Sequence, residues 1–184
     1  MAPNSTIYKA ELQISDMDRH YYATHALTLA RHPSETEERL MVRLLAFALH
    51  ADEALEFGRG LSSEDEPALW RKSPGGEIEL WIELGQPDES RIRKASGRAR
   101  EVVVVNYGGR SADLWWDRHR AALARIGNLT VLDIAGATVD ALAAIASRTM
   151  RLQSMVQDGQ LELYGEGTSL TVQPSVRMAP AGAR

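Results

Sequence analysis

Glu77-Ile78-Glu79-Leu80-Trp81-Ile82-Glu83-Leu84, followed by Pro87-Asp88-Glu89 and then by Val102-Val103-Val104-Val105, decides the fold. In the first run Ile78, Leu80, Ile82 and Leu84 alternate with Glu77, Glu79, Trp81 and Glu83, the period of two of a strand with different faces. Pro87-Asp88-Glu89 opens a helix: proline suits the first helical position, and the acids suit the positive end of the dipole. Four β-branched residues in succession at 102–105 predict a strand covered on both faces. Strand, helix and buried strand in that order point to an α/β chain.

Working outward, residues 67–71 read as the antiparallel partner of 77–84, joined by Ser73-Pro74-Gly75-Gly76. Upstream, Tyr8, Ala10, Leu12 and Ile14 alternate with Lys9, Glu11 and Gln13, so residues 6–15 form a half-buried strand. After a turn at Asp16-Met17-Asp18, residues 19–32 return as a second strand and make an N-terminal β-hairpin. A helix starts at Pro33-Ser34-Glu35-Thr36-Glu37, where Ser34 and Glu37 have the spacing of a capping box. Met41, Leu44, Leu45, Ala48, Leu49 and Leu55 recur along one helical face, and Gly58 or Gly60 would end it.

Downstream, residues 111–126 predict an amphipathic helix carrying Trp115 and Trp116, which point about 100° apart, so at most one faces the core. A strand at 128–134 and a short helix at 139–148 follow. Strands at 151–157 and 160–164 meet at Asp158-Gly159, a hairpin turn sequence, and 168–172 adds a further strand. Residues 1–5 and 178–184 read as loose ends. The expected architecture is one domain spanning 1–184, a mixed central β-sheet flanked by helices.

The 184 residues are 44% hydrophobic and 25% charged, which excludes disordered and collagen-like chains. With no cysteine there is neither a disulfide framework nor a thiolate zinc site nor a cysteine nucleophile. A net charge of −4 carries no general positive field, so any contact with nucleic acid must be local. No apolar run approaches the roughly 20 residues of a membrane helix, and residues 1–19 lack a signal-peptide stretch. A cytoplasmic, membrane-free protein is expected. Phosphate-binding glycine loops and the G-x-S-x-G elbow are absent, and the five histidines show no H-E-x-x-H spacing.

The remaining chemistry lies in the carboxylates around the first strand. Glu79 and Glu83 share a face but stand about 13 Å apart, too far to share an ion. Glu83 must find its partner on a neighbouring element, and Asp65 lies just before the adjoining strand. Such a pair would hold Mg²⁺, which takes oxygen ligands and keeps several waters. Lys94, about two turns into the next helix, could direct positive charge at a phosphoryl group. Arg91, Arg93 and Arg98 on the same helix, with Arg100 beyond, could grip phosphates. The same residues also fit an ordinary wet hairpin face and an ordinary basic helix end, and spacing alone does not choose.

His32-Pro33-Ser34-Glu35-Thr36 with Glu38-Arg39, Asp65-Glu66-Pro67, Trp81-Ile82-Glu83-Leu84-Gly85 with Pro87-Asp88-Glu89, Trp115-Trp116 and Arg148-Thr149-Met150 together resemble the YaeQ family over essentially the whole chain. The resemblance implies a restriction-endonuclease-like variant of the PD-(D/E)XK nuclease fold. It also implies site roles: Glu38 as the acid on the first core helix, Asp65 and Glu83 as metal ligands, and Lys94 as a lysine moved to the next helix. The usual lysine position, two residues after Glu83, is Gly85. Two functions follow: Mg²⁺-dependent hydrolysis of phosphodiesters in nucleic acid, or an inactive module binding nucleic acid or a protein of the transcription machinery.

Overall fold

A computed structural model describes residues 4–183. In chain order the elements are β1 (Thr6–Asp16), β2 (Tyr21–Arg31), α1 (Glu37–Leu49), β3 (Leu55–Phe57), β4 (Leu69–Lys72), β5 (Ile78–Leu84), α2 (Glu89–Arg98), β6 (Ala99–Tyr107), α3 (Arg110–Leu123), β7 (Leu129–Ile134), α4 (Gly136–Ala144), β8 (Thr149–Gln157), β9 (Gln160–Gly165), β10 (Thr168–Val172) and β11 (Ser175–Met178). They divide into two compact units. The first takes the chain up to Asp52 and again from Ala137 to Gln173; the second takes Glu53–Gly136 and the chain from Pro174. No helix among the described residues is long and apolar enough to cross a membrane.

Instead of one central sheet there are two mixed sheets, ordered β10-β9-β8-β1-β2 in the first unit and β11-β7-β6-β5-β4-β3 in the second. The two kinds of strand patterning explain the split. β1 and β8 alternate buried and exposed residues, as strands with one wet face do, and they pair parallel, Leu12 opposite Leu152. β5 and β6 instead bury five consecutive residues each, Leu80–Leu84 and Val102–Asn106. Strands of the second kind need cover on both sides, and β5, β6 and β7 run parallel with α2 and α3 as their connections.

In the first unit the β1–β2 hairpin keeps register from Thr6 opposite Arg31 to Asp16 opposite Tyr21. Its turn is fastened by Asp16, which accepts from the Arg19 backbone at 3.0 Å and its Nε at 2.7 Å. The neighbouring Asp18 accepts from the backbone N–H groups of Asp158 and Gly159, at 2.8 and 2.9 Å, and so holds the β8–β9 turn. Both turn residues there have positive φ, 53° and 75°, the geometry that favours Asp-Gly.

α1 begins one residue pair later than the sequence suggests. Thr36, not Ser34, is the N-cap, accepting from Arg39 N at 3.1 Å, while Ser34 Oγ turns to His32 Nδ1. The cause is Glu35, drawn inside to accept from Arg39 at 2.8 Å and Arg43 at 2.9 Å. Burial pulls the Arg43 pKa down from its usual range, opposed chiefly by the Glu35 charge. The helix stops at Leu49, before Gly58 and Gly60, and Leu55 starts β3.

In the second unit Trp81, Ile92, Val102, Val104, Trp115, Leu123 and Val131 form a cluster between α2, α3 and one face of the sheet. Trp115 is buried and donates to Pro87 O at 3.0 Å, whereas Trp116 is only partly buried. Asn128 Nδ2 donates to the carbonyls of Ser96 and Ala99, both at 3.0 Å, and closes the end of α2. β11, a strand the sequence pattern does not announce and which reaches only Met178 of the expected loose end, is tied down by Arg177 to Asp113 at 2.6 Å and Asp133 at 3.3 Å. Residues 1–3 and 184 of the expected loose ends lie outside the described residues.

Two substitutions in the first unit test this packing. Glu35→Ala strips a buried charge pair of its acid and should lower stability by about 3–5 kcal/mol in urea unfolding. Ser154→Ala should be neutral or stabilising by about 1 kcal/mol, because the buried Ser154 Oγ has no hydrogen-bond partner.

Candidate functional site

β5 turns the face carrying Trp81 and Glu83 towards α2, so Glu83 is not on a wet surface: only 4% of it is exposed. A buried carboxylate needs donors. Trp81 Nε1, two residues back on the same strand face, donates to Glu83 Oε1 at 2.7 Å, and Arg91 Nε donates to the same oxygen at 2.7 Å. Arg91 stands in the first turn of α2, next to the buried Ile92 and one turn before the buried Ala95. Its other nitrogens are committed too: Nη1 donates to Glu64 O at 3.0 Å and Nη2 to Glu66 O at 2.8 Å. One guanidinium therefore bolts the carboxylate of β5 to the backbone on either side of Asp65.

With its flanking carbonyls held, Asp65 projects its carboxylate into solvent. Lys94 Nζ, three residues along α2 from Arg91, meets Asp65 Oδ1 at 2.9 Å. Arg98, one turn further, donates to Asp65 O at 3.2 Å and stacks over the Trp81 ring, 5.1 Å from its centroid. The hydrogen bond from Lys94, then its charge, hold the Asp65 carboxyl below the ordinary carboxylate range, with smaller contributions from Arg98 and Arg91. A groove of about 310 Å³ opens beside the pair, lined by Glu64, Asp88, Ser90, Arg91 and Lys94.

Three of the four residues singled out from sequence thus fall in one neighbourhood. Asp65 and Lys94 touch, and Glu83 joins them through Arg91. Glu38 is exposed on α1 and belongs to the first unit. Of the arginines, Arg91 faces inward, Arg93 pairs with Glu89 at 2.7 Å, and Arg98 lies along the Asp65 loop. Arg100 pairs with Glu77, and Glu79 with Arg71 across the hairpin. What sequence reasoning missed is the bracket made by Arg91. The signal was present, since a residue adjacent to Ile92 and four before Ala95 borders the buried stripe of the helix.

Gly85, where a lysine would complete (D/E)-x-K, has φ +77° and is buried. L side chains rarely adopt that backbone, so a lysine does not fit readily at this position. Among the described residues no group of three or more His, Asp or Glu side chains could hold a metal. A cation would rest on Asp65 and Glu83 alone. Their hydrogen bonds fall on Oδ1 and Oε1, with Asp65 turned to solvent and Glu83 buried and paired with Arg91.

Comparison with known proteins supplies a family. The family model described as YaeQ protein matches residues 1–174. An uncharacterised YaeQ protein of Salmonella typhi is 45% identical over 181 residues, covering 98% of this chain and 100% of that one. Its counterpart in Escherichia coli strain K12 is 43% identical over the same length and coverage. The crystal structure of the YaeQ protein from Xanthomonas axonopodis pv. citri superposes with a TM-score of 0.92 at 56% identity, covering 96% of this chain and 99% of that one. The YaeQ crystal structure from Pseudomonas syringae also gives 0.92, at 37% identity, covering 97% and 98%.

The two cations of the site should behave differently when removed. Arg91→Ala leaves Glu83 buried without its ion partner and should cost about 3 kcal/mol in urea unfolding. Lys94→Ala opens an ion pair whose side chains are 58% and 76% exposed, and should leave the unfolding midpoint unchanged. Equal losses in the two variants would contradict the assignment of Arg91 as the structural cation.

Proposed function

The chain belongs to the YaeQ family, and from that premise we propose that its second unit is a divalent-cation-dependent phosphodiester hydrolase acting on nucleic acid, built on a PD-(D/E)XK-like scaffold. One observation carries the reading: Lys94 and Asp65, 29 residues apart, meet at 2.9 Å beside the ion-paired Glu83 and above an open groove.

The cation of this reading is Mg²⁺. This hard cation is commonly held by one or two carboxylates with water and substrate phosphate completing its shell. Asp65 and Glu83 are the residues that would hold it. Bound there, it would orient a phosphate and lower the pKa of a water. The protein's own side chains do the rest. Arg91 keeps Glu83 aimed while buried, and the Lys94 ammonium offsets charge developing on the phosphoryl oxygens. Arg93 and Arg98, exposed on the same helix, offer contacts to neighbouring phosphates.

A second reading, a nucleic-acid or protein-binding module without hydrolysis, draws on a different observation. Gly85 stands where the motif's lysine belongs, and both carboxylates are already matched by a cation. Calorimetric titration of Mg²⁺ and Mn²⁺ into wild type, Asp65→Ala and Glu83→Ala separates the two. Binding in wild type that disappears in both variants is the expected result, together with cleavage of labelled DNA or RNA that drops at least about 100-fold in Lys94→Ala. No cation binding by wild type, with oligonucleotide also present, would overturn the catalytic reading in favour of the second.

A further inference from the structure

β2 ends the sheet of the first unit, and no strand among the described residues pairs with its far edge. Backbone hydrogen-bond directions alternate along a strand, and β1 fixes them for the hairpin. Lys9 N donates to Arg148 O at 2.9 Å, and Ile7 O accepts from Arg148 Nε at 2.9 Å. The odd-numbered residues of β1 therefore turn their backbone groups to the β8 side. The even-numbered ones bond to β2, where the register sets them opposite odd-numbered residues, Leu12 opposite His25. Tyr22, Thr24, Ala26, Thr28 and Ala30 are left with their N–H and C=O directed away from β1. Ala30 O accepts from Arg43 at 3.1 Å, while among the described residues nothing meets the outward backbone groups of the other four.

Sheet edges are normally guarded against pairing by shortness, a bulge, proline or charge. β10 has five residues, β3 has three, and β11 has four with a break in register. β2 has eleven residues in unbroken register, and from Tyr21 to Ala30 it holds no Lys, Arg, Asp, Glu or Pro. Its solvent face starts at Tyr22, which is 61% exposed, and continues through Thr24, Ala26 and Thr28; β1 shows Lys9 and Glu11 on the same face. We propose that β2 is the surface on which a second copy of this chain docks, the two β2 strands antiparallel, joining two five-stranded sheets into one. A twofold axis at His25 sets Tyr22 opposite Thr28 and Thr24 opposite Ala26. Every such pair joins two residues with outward backbone groups, so each donates to and accepts from the other. The side chains match as well: a tyrosine ring meets a β-branched residue, and no like charges face each other along this stretch. A strand without charge offers no sign by which to select a foreign partner, yet it pairs with itself without repulsion. The docking does not depend on the carboxylate site of the second unit.

Sedimentation velocity of the full chain from about 10 to about 500 µM, a range suited to a small interface, should show a monomer–dimer equilibrium. Amide hydrogen exchange by NMR over the same range reads the strand itself. Exchange at Thr24, Ala26 and Thr28 should slow as the dimer fraction rises, while Ala23, His25 and Leu27, already bonded to β1, should stay protected throughout. Ala26→Pro removes an outward N–H that β1 does not use, and should raise the dissociation constant at least about tenfold, the worth of the two hydrogen bonds it costs the pair. Thr24→Lys keeps every backbone donor and should weaken the dimer by placing a charge on the edge, with the urea-unfolding midpoint of the monomer unchanged. A wild type that is monomeric at every concentration would overturn the proposal and leave the edge to an extended segment of another protein. A dimer that persists unchanged in both variants would place the interface elsewhere and overturn it too. So would a dimer in which Thr24, Ala26 and Thr28 exchange equally fast at all concentrations.

Discussion

Burying one carboxylate organises the second unit. Glu83 sits on a strand that must hide both faces, and an ionised group there is costly unless it is matched and hydrogen-bonded. Trp81 and Arg91 supply the match on a single oxygen. A guanidinium presents its donors in a fixed fork, so placing Nε on Glu83 also fixes where Nη1 and Nη2 point. They find the carbonyls of Glu64 and Glu66, and the segment before β4 is thereby held against α2. Asp65, between those two anchors, carries its side chain into solvent, where Lys94 meets it. The exposed half of the site is a consequence of its buried half.

The first unit solves a related problem by different means. Its sheet alternates buried and exposed positions, and the strand acid that does go inside, Asp16, is the last residue of β1. Its buried acids sit instead at turns and at a helix entry: Asp16 at the first hairpin, Glu35 before α1. In each case an arginine within four residues pairs with the acid, and local sequence alone can build the contact. In the second unit the Glu83–Arg91 contact instead requires β5 and α2 to pack first.

Which features were legible in the sequence follows from that distinction. The alternation of β1 and β5, the valine run of β6, the acidic start of α2 and the Asp158-Gly159 turn are local patterns, and each produced the element its pattern implied. The division into two sheets, the late start of α1 at Thr36, and the short strands β3 and β11 depend on partners far along the chain. The site divides the same way. Asp65, Glu83 and Lys94 were visible from residue type, spacing and family motif, while the contacts that join them, at separations of 8 to 29 residues, were not. Nor did spacing reveal that Glu83 is buried: a glutamate on the tryptophan-bearing face of β5 reads as wet until α2 is laid across it.

Gly85 shows how backbone geometry decides where a side chain can stand. β5 ends in a residue at φ +77°, whose N–H still donates to Val105 O at 2.9 Å, so the strand bends out of the sheet without breaking its last contact with β6. That bend requires glycine and removes the side chain from the position two residues after Glu83. A cation brought instead from α2 arrives from the side of the Asp65 loop, not along the strand, and it meets the exposed carboxylate rather than the buried one. Glu83, already matched by Arg91, has no need of it. Arg91 and Lys94, three positions apart on one helix, thus meet carboxylates of very different depth, the one buried and the other open to solvent.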